Sequence, residues 1–292
     1  MGQHVTYELV LRTRLQKPGL AEILKQIMIG AGFAEGEIIE IHDGLRLGVA
    51  VYLADARRAR AVKRDLSRRG MSGVNVELKR LRRKDWITGG RDKIQPFHLG
   101  KKFVVVPEHQ SAKFLRRRPG RRQPILIDYG MVFGTGQHAT TRFMAQLIES
   151  RAGRFVTCLD IGTGTGILAI VAFKCGARAV TAVDISADAI ASARRHLRRN
   201  ACPSADLRVA DFRTFPARKF DLVAANLITP DLVACGRKLA ACVKPGGYLA
   251  VSGISIALYA LFREEFSRFP LKCLRVLKGE GWCAVLFRKK TE

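Results

Sequence analysis

The stretch LDIGTGTGILAI, residues 159–170, decides the fold. It begins with residues typical of a buried strand, turns through Gly162, Gly164 and Gly166, and continues with the apolar character of a buried helix. The G-x-G-x-G spacing differs from the G-x-G-x-x-G of dinucleotide-binding folds, and no G-K-S/T follows as in a P-loop. The stretch therefore predicts a parallel α/β unit in which the glycines let the backbone approach a ligand at the start of the helix.

Strands and helices are predicted to alternate from residue 155 onward. The predicted strands cover residues 156–161, 179–185, 206–210, 220–226, 247–254, 271–278 and 282–289. The predicted helices cover residues 165–175, 187–199, 230–242 and 256–268. Apolar strands that alternate with helices indicate a parallel sheet covered on both faces. Only a Gly-Glu-Gly turn separates the last two strands, so the final strand must be antiparallel. We predict a doubly wound, seven-stranded, Rossmann-like sheet.

Three polar residues at predicted strand ends are candidates for ligand binding. Asp184 ends the second strand, where a carboxylate can accept both hydroxyls of a ribose, and this suits NAD as well as S-adenosylmethionine. Asn226 ends FDLVAAN at the carboxyl edge of the sheet and either faces the reacting group or caps the next helix. Asp211 either accepts a hydrogen bond from an adenine amine or is an ordinary turn residue.

The first 81 residues show a different organisation, with the order β-α-β-β-α-β of a ferredoxin-like sandwich. An Asp43-Gly44 pair predicts a hairpin, and Asp55 is placed to cap the second helix. We predict a small α+β recognition domain over residues 1–81, a polar linker over 82–98, and a catalytic domain over 99–292. Strands at 103–107 and 125–128 flank the basic loop RRRPGRR, residues 116–122.

The positive charge is concentrated in less than a quarter of the chain. Residues 57–122 contain 22 Lys and Arg against 5 Asp and Glu, out of a net charge of +26 for all 292 residues. Such a density attracts phosphate backbones, although a solvated face or a general preference for arginine also explains it. The seven cysteines form no C-x-x-C pair, which favours buried thiols over a metal site. No apolar run is long enough to span a membrane.

Several motifs in order carry a resemblance to a known family. These are FGTGQHATT (residues 133–141), DIGTGTGILAI, VDIS, ANLITPDL, KPGGYLAVSGI and GWCAVLFRKK. Together they resemble the PrmA family, bacterial class I methyltransferases that modify ribosomal protein L11. The resemblance implies S-adenosylmethionine as cofactor and a large-subunit ribosomal protein as substrate. It places cofactor contacts at Thr141, Gly162, Asp184 and Asn226, with Gly164, Gly166 and Asp211 as weaker candidates.

The resulting hypothesis is methyl transfer to lysine ε-amino groups, and to an N-terminal α-amine as a further target. Asn226 is the candidate that orients the amine, and no metal is required. His138 is interpreted as a residue that packs the FGTGQHATT loop, with a general base as the alternative. We expect that loop to act as a lid over the cofactor. The competing hypotheses are an RNA methyltransferase that uses the same cofactor site, a nonenzymatic ribosome-binding factor and an NAD oxidoreductase. We expect a cytoplasmic monomer, with rRNA contact through residues 57–122.

Overall fold

The computed structural model divides the chain into two compact units, residues 1–93 and 94–292. It describes residues 6–13, 20–33, 38–43, 46–53, 55–81, 95–116, 120, 122–128, 136–202, 205–216 and 218–291. Within those ranges, no helix has both the length and the apolar character needed to cross a bilayer.

The first unit has the predicted order of elements. They are β1 (Thr6–Thr13), α1 (Leu20–Gly30), β2 (Ile39–Asp43), β3 (Arg46–Leu53), α2 (Ala56–Arg68) and β4 (Val74–Leu81). The four strands pair antiparallel in the order β2-β3-β1-β4. Asp55 caps α2 as predicted, because its carboxylate accepts from the backbone N–H groups of Arg57 and Arg58. Gly44, in the predicted hairpin turn, lies outside the described residues.

The second unit begins with a small sheet of three strands. Its elements are β5 (Phe97–Leu99), β6 (Phe103–Pro107), the 3₁₀ turn Glu108–Gln110, α3 (Ser111–Arg116) and β7 (Gln123–Ile127). The prediction of a linker over 82–98 is wrong at its end, since residues 97 and 98 belong to β5 and pair with Val105 and Val104 of β6. Residues 82–94 of that linker and residues 117–119 and 121 of the basic loop lie outside the described part of the chain.

The large sheet confirms the predicted fold class. Its elements are α4 (Ala139–Glu149), β8 (Thr157–Ile161), α5 (Ile167–Lys174), β9 (Ala179–Asp184), α6 (Ala187–Arg199), β10 (Ala205–Val209), β11 (Phe220–Asn226), α7 (Thr229–Ala241), β12 (Val243–Ser255), α8 (Tyr259–Ser267), β13 (Leu271–Gly279) and β14 (Trp282–Lys289). The strand order is β10-β9-β8-β11-β12-β14-β13. β14 is antiparallel to both of its neighbours, as the short Gly-Glu-Gly connection requires.

Two hydrophobic cores cover the two faces of this sheet. One joins the apolar side chains of α4, α5 and α6 to the sheet, and the other contains the stacked rings of Phe262 and Phe266 from α8. Helix α5 is apolar on all sides because it is buried from Ile167 to Ala172. Six of the seven cysteines are buried as predicted, but Cys273 on β13 is exposed.

Candidate functional site

The glycine turn lies at the carboxyl edge of the sheet, between β8 and α5. Gly162 and Gly166 have φ angles of 68° and 82°, in the left-handed region that favours glycine. A Cβ on Gly162 would lie 2.7 Å from the Leu227 side chain, and one on Gly166 would lie 3.0 Å from the Cβ of Ala193. Backbone conformation and packing within the protein therefore require glycine at these two positions. This requirement holds whether or not a ligand approaches the turn.

Asp184 ends β9 beside this turn, at the place predicted for it. One carboxylate oxygen accepts from the N–H of Gly164 at 2.9 Å, and the other accepts from the N–H of Ser186 at 2.9 Å. Each carboxylate oxygen has two lone pairs, so each can accept one further hydrogen bond. The two backbone bonds fix the orientation of the carboxylate and leave it able to receive a pair of hydroxyl groups.

The FGTGQHATT motif differs from the predicted lid loop. Residues 139–141 form the first turn of α4, a helix that the sequence does not predict, and His138 is its N-cap. Residues 133–135 lie outside the described part of the chain. Thr141 is almost fully buried, and its hydroxyl oxygen has no hydrogen-bond partner among the residues that the structure describes. A buried hydroxyl without a hydrogen-bond partner lowers the stability of the fold by about 1–3 kcal/mol, which makes this oxygen a candidate for a hydrogen bond to a ligand.

Asn226 ends β11 and contacts the same motif. Its side-chain nitrogen donates to the hydroxyl oxygen of Thr140 at 3.2 Å. The alternative role of helix cap is excluded, because the N-cap of α7 is Ile228. Asn226 also lies where the strand order reverses, between the parallel neighbours β8 and β11, and open α/β sheets bind their ligands at such a point.

The direction of this network follows from the tautomer of His138. Its Nδ1 accepts from the backbone N–H of Thr140 and lies 2.7 Å from the Thr140 hydroxyl. With Nδ1 as acceptor, the Thr140 hydroxyl donates to His138 and accepts from Asn226. The carboxamide oxygen of Asn226 is therefore directed away from Thr140 and remains an acceptor. Burial, together with the nearby Arg142, lowers the pKa of His138 and favours this neutral ring.

Trp282, the first residue of β14, completes the side of the site formed by His138. The two rings meet edge to face with centroids 5.3 Å apart. Arg142 of α4 forms an ion pair with Glu280 in the turn before Trp282. This ion pair connects the turn between β13 and β14 to α4, the helix that contains Thr140 and Thr141.

Asp211 adopts the ordinary turn role. Its carboxylate accepts from the backbone N–H of Arg213 at 2.8 Å and from the guanidinium of the same residue. These bonds lower the pKa of Asp211. Because one neighbour binds both carboxylate oxygens, the geometry favours the turn over a contact with adenine.

Asp160 is a fully buried carboxyl group on β8, directly below the glycine turn. Thr163 donates to it at 2.6 Å, yet burial raises its pKa to about 6. The neighbouring Asp184 raises this pKa further. Asp160 thus belongs to the support of the turn, a role that the sequence prediction omitted.

Exposed apolar side chains border the site. Ile185 follows β9 directly, and Ile228 and Ile256 lie on the connections after β11 and β12, with exposed fractions of 76%, 58% and 47%. The backbone N–H of Ser255 donates to the hydroxyl of Thr229, which brings the last two connections together. Sequence analysis missed these residues and also Thr140 and Trp282. The paired threonines and the Gly-Trp dipeptide within the quoted motifs were the available signals.

Comparison with known proteins gives consistent matches. The family model of ribosomal protein L11 methyltransferases, PrmA, matches residues 35–290. A ribosomal protein L11 methyltransferase of Geobacter sulfurreducens is 37% identical over 210 residues, which cover 72% of this chain and 68% of the relative. One of Burkholderia mallei is 38% identical over 179 residues, or 61% of this chain and 57% of the relative.

A solved structure agrees with these matches. The ribosomal protein L11 methylase of Lactobacillus delbrueckii subsp. bulgaricus superimposes with a TM-score of 0.62 and 26% identity. The match covers 68% of this chain and all of that one.

Proposed function

Because this chain belongs to the ribosomal protein L11 methyltransferase family, we propose that it methylates amino groups of a large-subunit ribosomal protein with S-adenosylmethionine as methyl donor. The targets are lysine ε-amines, with an N-terminal α-amine as a further target. The observation that carries the proposal is the hydrogen bond between Asn226 and Thr140, which joins the end of β11 to the family's threonine motif beside the glycine turn.

The residues present fit this cofactor. The buried hydroxyl of Thr141 has no partner in the described part of the chain, and Asp184 keeps two lone pairs for a ribose. We infer that Asp184 holds the ribose hydroxyls, that the turn over Gly162 to Gly166 receives the amino-acid portion, and that Thr141 supplies a further hydrogen bond. When bound, S-adenosylmethionine supplies a sulfonium leaving group and an electrophilic methyl carbon.

The protein residues then have to position a neutral amine. A lysine with its ordinary pKa of about 10.4 is mostly protonated at neutral pH, and removal from water lowers this pKa. The carboxamide oxygen of Asn226 can accept a hydrogen bond from the amine and direct its lone pair toward the methyl group. Orientation of this kind contributes up to roughly 7–11 kcal/mol in ideal cases. The aromatic face of Trp282 and the exposed Ile228 and Ile256 can cover the apolar stem of a lysine.

The decisive experiment incubates the protein with radiolabelled S-adenosylmethionine and dissociated ribosomal components. We expect label on one ribosomal protein of the large subunit, in the form of methylated amines. Label confined to RNA would reject the protein substrate and favour the RNA methyltransferase alternative. The sequence Asn226-Leu227-Ile228-Thr229 lacks the N-P-P-Y/F pattern common in base-amine methylation, which speaks against that alternative. A nonenzymatic ribosome-binding factor would give no label and no measurable cofactor binding by calorimetry.

Other predictions stay proposals. Residues 1–81 are proposed to recognise the substrate, and the basic region 57–122 is proposed to contact rRNA, supported by its 22 Lys and Arg against 5 Asp and Glu. A cytoplasmic location and a monomeric state also stay predictions.

A further inference from the structure

We propose that a basic groove on the first unit binds the phosphate backbone of RNA. The groove lies between helix α2 and strand β4, the edge strand of the four-stranded sheet, and has a volume of about 620 Å³. Its lining residues are Arg60, Lys63, Arg64, Ser67, Arg68 and Leu78. The groove is built from residues of the first unit, whereas the glycine turn and the threonine motif belong to the second, so the proposal goes beyond methyl transfer.

The spacing of the lining residues places them on one face of α2. Positions 60, 63, 64, 67 and 68 follow the i, i+3, i+4, i+7, i+8 pattern that an amphipathic helix ordinarily uses for its apolar stripe. Here every one of these positions is polar, and four carry a positive charge. The buried residues Ala59 and Leu66 pack on the sheet from a neighbouring face of the same helix. Helix α2 therefore has an apolar face that packs on the sheet and a separate basic face that lines the groove.

The four cations lack acidic partners among the described residues. Acidic residues do occur nearby, but Arg69 binds Asp65 at 2.6 Å, and Lys79 and Asn75 contact Glu77. None of the described residues that line the groove carries a carboxylate. Four like charges along about two turns of a helix repel one another, and an anionic ligand relieves this repulsion. The groove thus has the charge distribution of an anion site rather than of a network of ion pairs.

The lining favours a phosphodiester chain over other polyanions. Three of the four cations are arginines, whose planar guanidinium binds phosphate through two parallel hydrogen bonds. Leu78 is the single apolar residue among the described residues of the lining, and these residues include no aromatic anchor of the kind typical of a protein interface. The lining that the structure describes makes contact with phosphates rather than with bases, and phosphate contacts carry no sequence information, so we expect binding without sequence preference. The choice of RNA as the molecule that carries the phosphates rests on the proposed function, because a ribosomal-protein substrate assembles on rRNA.

The test measures the binding of the full chain to a fluorescent single-stranded uridine oligoribonucleotide over a series of salt concentrations, without cofactor. Four phosphate contacts predict a slope of about −2.8 for the logarithm of the association constant against the logarithm of salt concentration. The double variant Arg60→Ala/Arg64→Ala should reduce this slope to about −1.4 and weaken binding about tenfold at low salt. Alanine favours helices, so α2 should stay folded, and circular dichroism checks this.

A matched control is the variant Arg194→Ala/Arg198→Ala on α6, which removes the same charge at the same i, i+4 spacing from exposed positions. This control should keep the wild-type slope. An equal loss in both variants would show diffuse attraction and overturn the groove as the site. Polyglutamate that competes as strongly as RNA would indicate an acidic protein partner instead. Since the assay needs neither cofactor nor methyl transfer, its failure is distinguishable from failure of the proposed function.

Discussion

The side-chain nitrogen of Asn226 lies 3.2 Å from the hydroxyl oxygen of Thr140, although 86 residues separate them in the chain. One residue ends a central strand, and the other lies in the first turn of α4. Thr140 in turn contacts His138, which caps that helix. The hydrogen bond therefore gives the carboxamide a single orientation, in which its oxygen is free to accept from a substrate amine.

We predict that Asn226→Ala lowers kcat about 100-fold, because one positioned hydrogen-bonding group contributes on this scale. Thr140→Val should lower kcat by less, about tenfold, since the carboxamide remains but loses its fixed orientation. The double variant should be no slower than Asn226→Ala alone, because both changes remove one function. Steady-state kinetics measure these rates, and calorimetry should show that Thr140→Val binds cofactor normally. Additive losses in the double variant would contradict the proposed coupling.

Asp184→Ala should weaken S-adenosylmethionine binding by at least about 100-fold. Hydrogen bonds to a charged group are worth about 1.5–3 kcal/mol, and the proposed contact contains two of them. Isothermal titration calorimetry measures the change. The matched control is Asp188→Ala, which removes an exposed carboxylate four residues later on α6. Wild-type affinity in the Asp184 variant would reject the ribose assignment.

The sequence predicted the large sheet well because its signals are local. Continuous apolar runs mark the buried parallel strands, and the glycines at 162–166 mark the turn between β8 and α5. The short turn at 279–281 permits only a hairpin, so the antiparallel β14 followed from geometry. The positions of Asp184 and Asn226 at strand ends were predicted for the same reason.

The contacts that complete the site were not predictable in this way. Helix α4 was not predicted for two reasons. Its first turn contains the polar residues Thr140, Thr141 and Arg142, and a glycine-rich segment precedes it, so the sequence there resembles a loop. Asp211 shows the converse case, in which the residue type suits a ligand but Arg213 occupies its carboxylate. Both outcomes depend on tertiary neighbours, which a single sequence does not reveal.

Thr141→Val should have opposite effects on stability and on cofactor binding. The hydroxyl is buried and no described residue hydrogen-bonds to it, so its replacement by an isosteric methyl group should stabilise the cofactor-free protein by about 1–2 kcal/mol. The same change should weaken cofactor binding, because the proposed hydrogen bond is lost. Urea unfolding and calorimetry measure the two quantities on the same sample. A loss of stability together with normal affinity would show that the hydroxyl serves the fold instead.

We predict that Asp160→Asn stabilises the folded protein by an amount that depends on pH, because the buried carboxylate of Asp160 destabilises the fold only when it is ionised. Burial raises the pKa of Asp160 to about 6 in the folded protein, against an ordinary value of 3.8. Between these values the folded state holds a proton that the unfolded state has lost, so stability falls as pH rises through this window. Above pH ~6 the cost is constant and amounts to about 3 kcal/mol, at 1.36 kcal/mol per pKa unit.

Asparagine carries no charge at any of these pH values and still accepts the hydrogen bond from Thr163. The variant should therefore exceed the wild type in free energy of unfolding by up to about 3 kcal/mol at neutral pH, and the difference should disappear below pH ~4. Urea titrations of the cofactor-free protein at a series of pH values measure the difference. A difference that does not change with pH would show that the carboxyl group does not titrate in this window. The effect of the substitution would then come from packing rather than from charge.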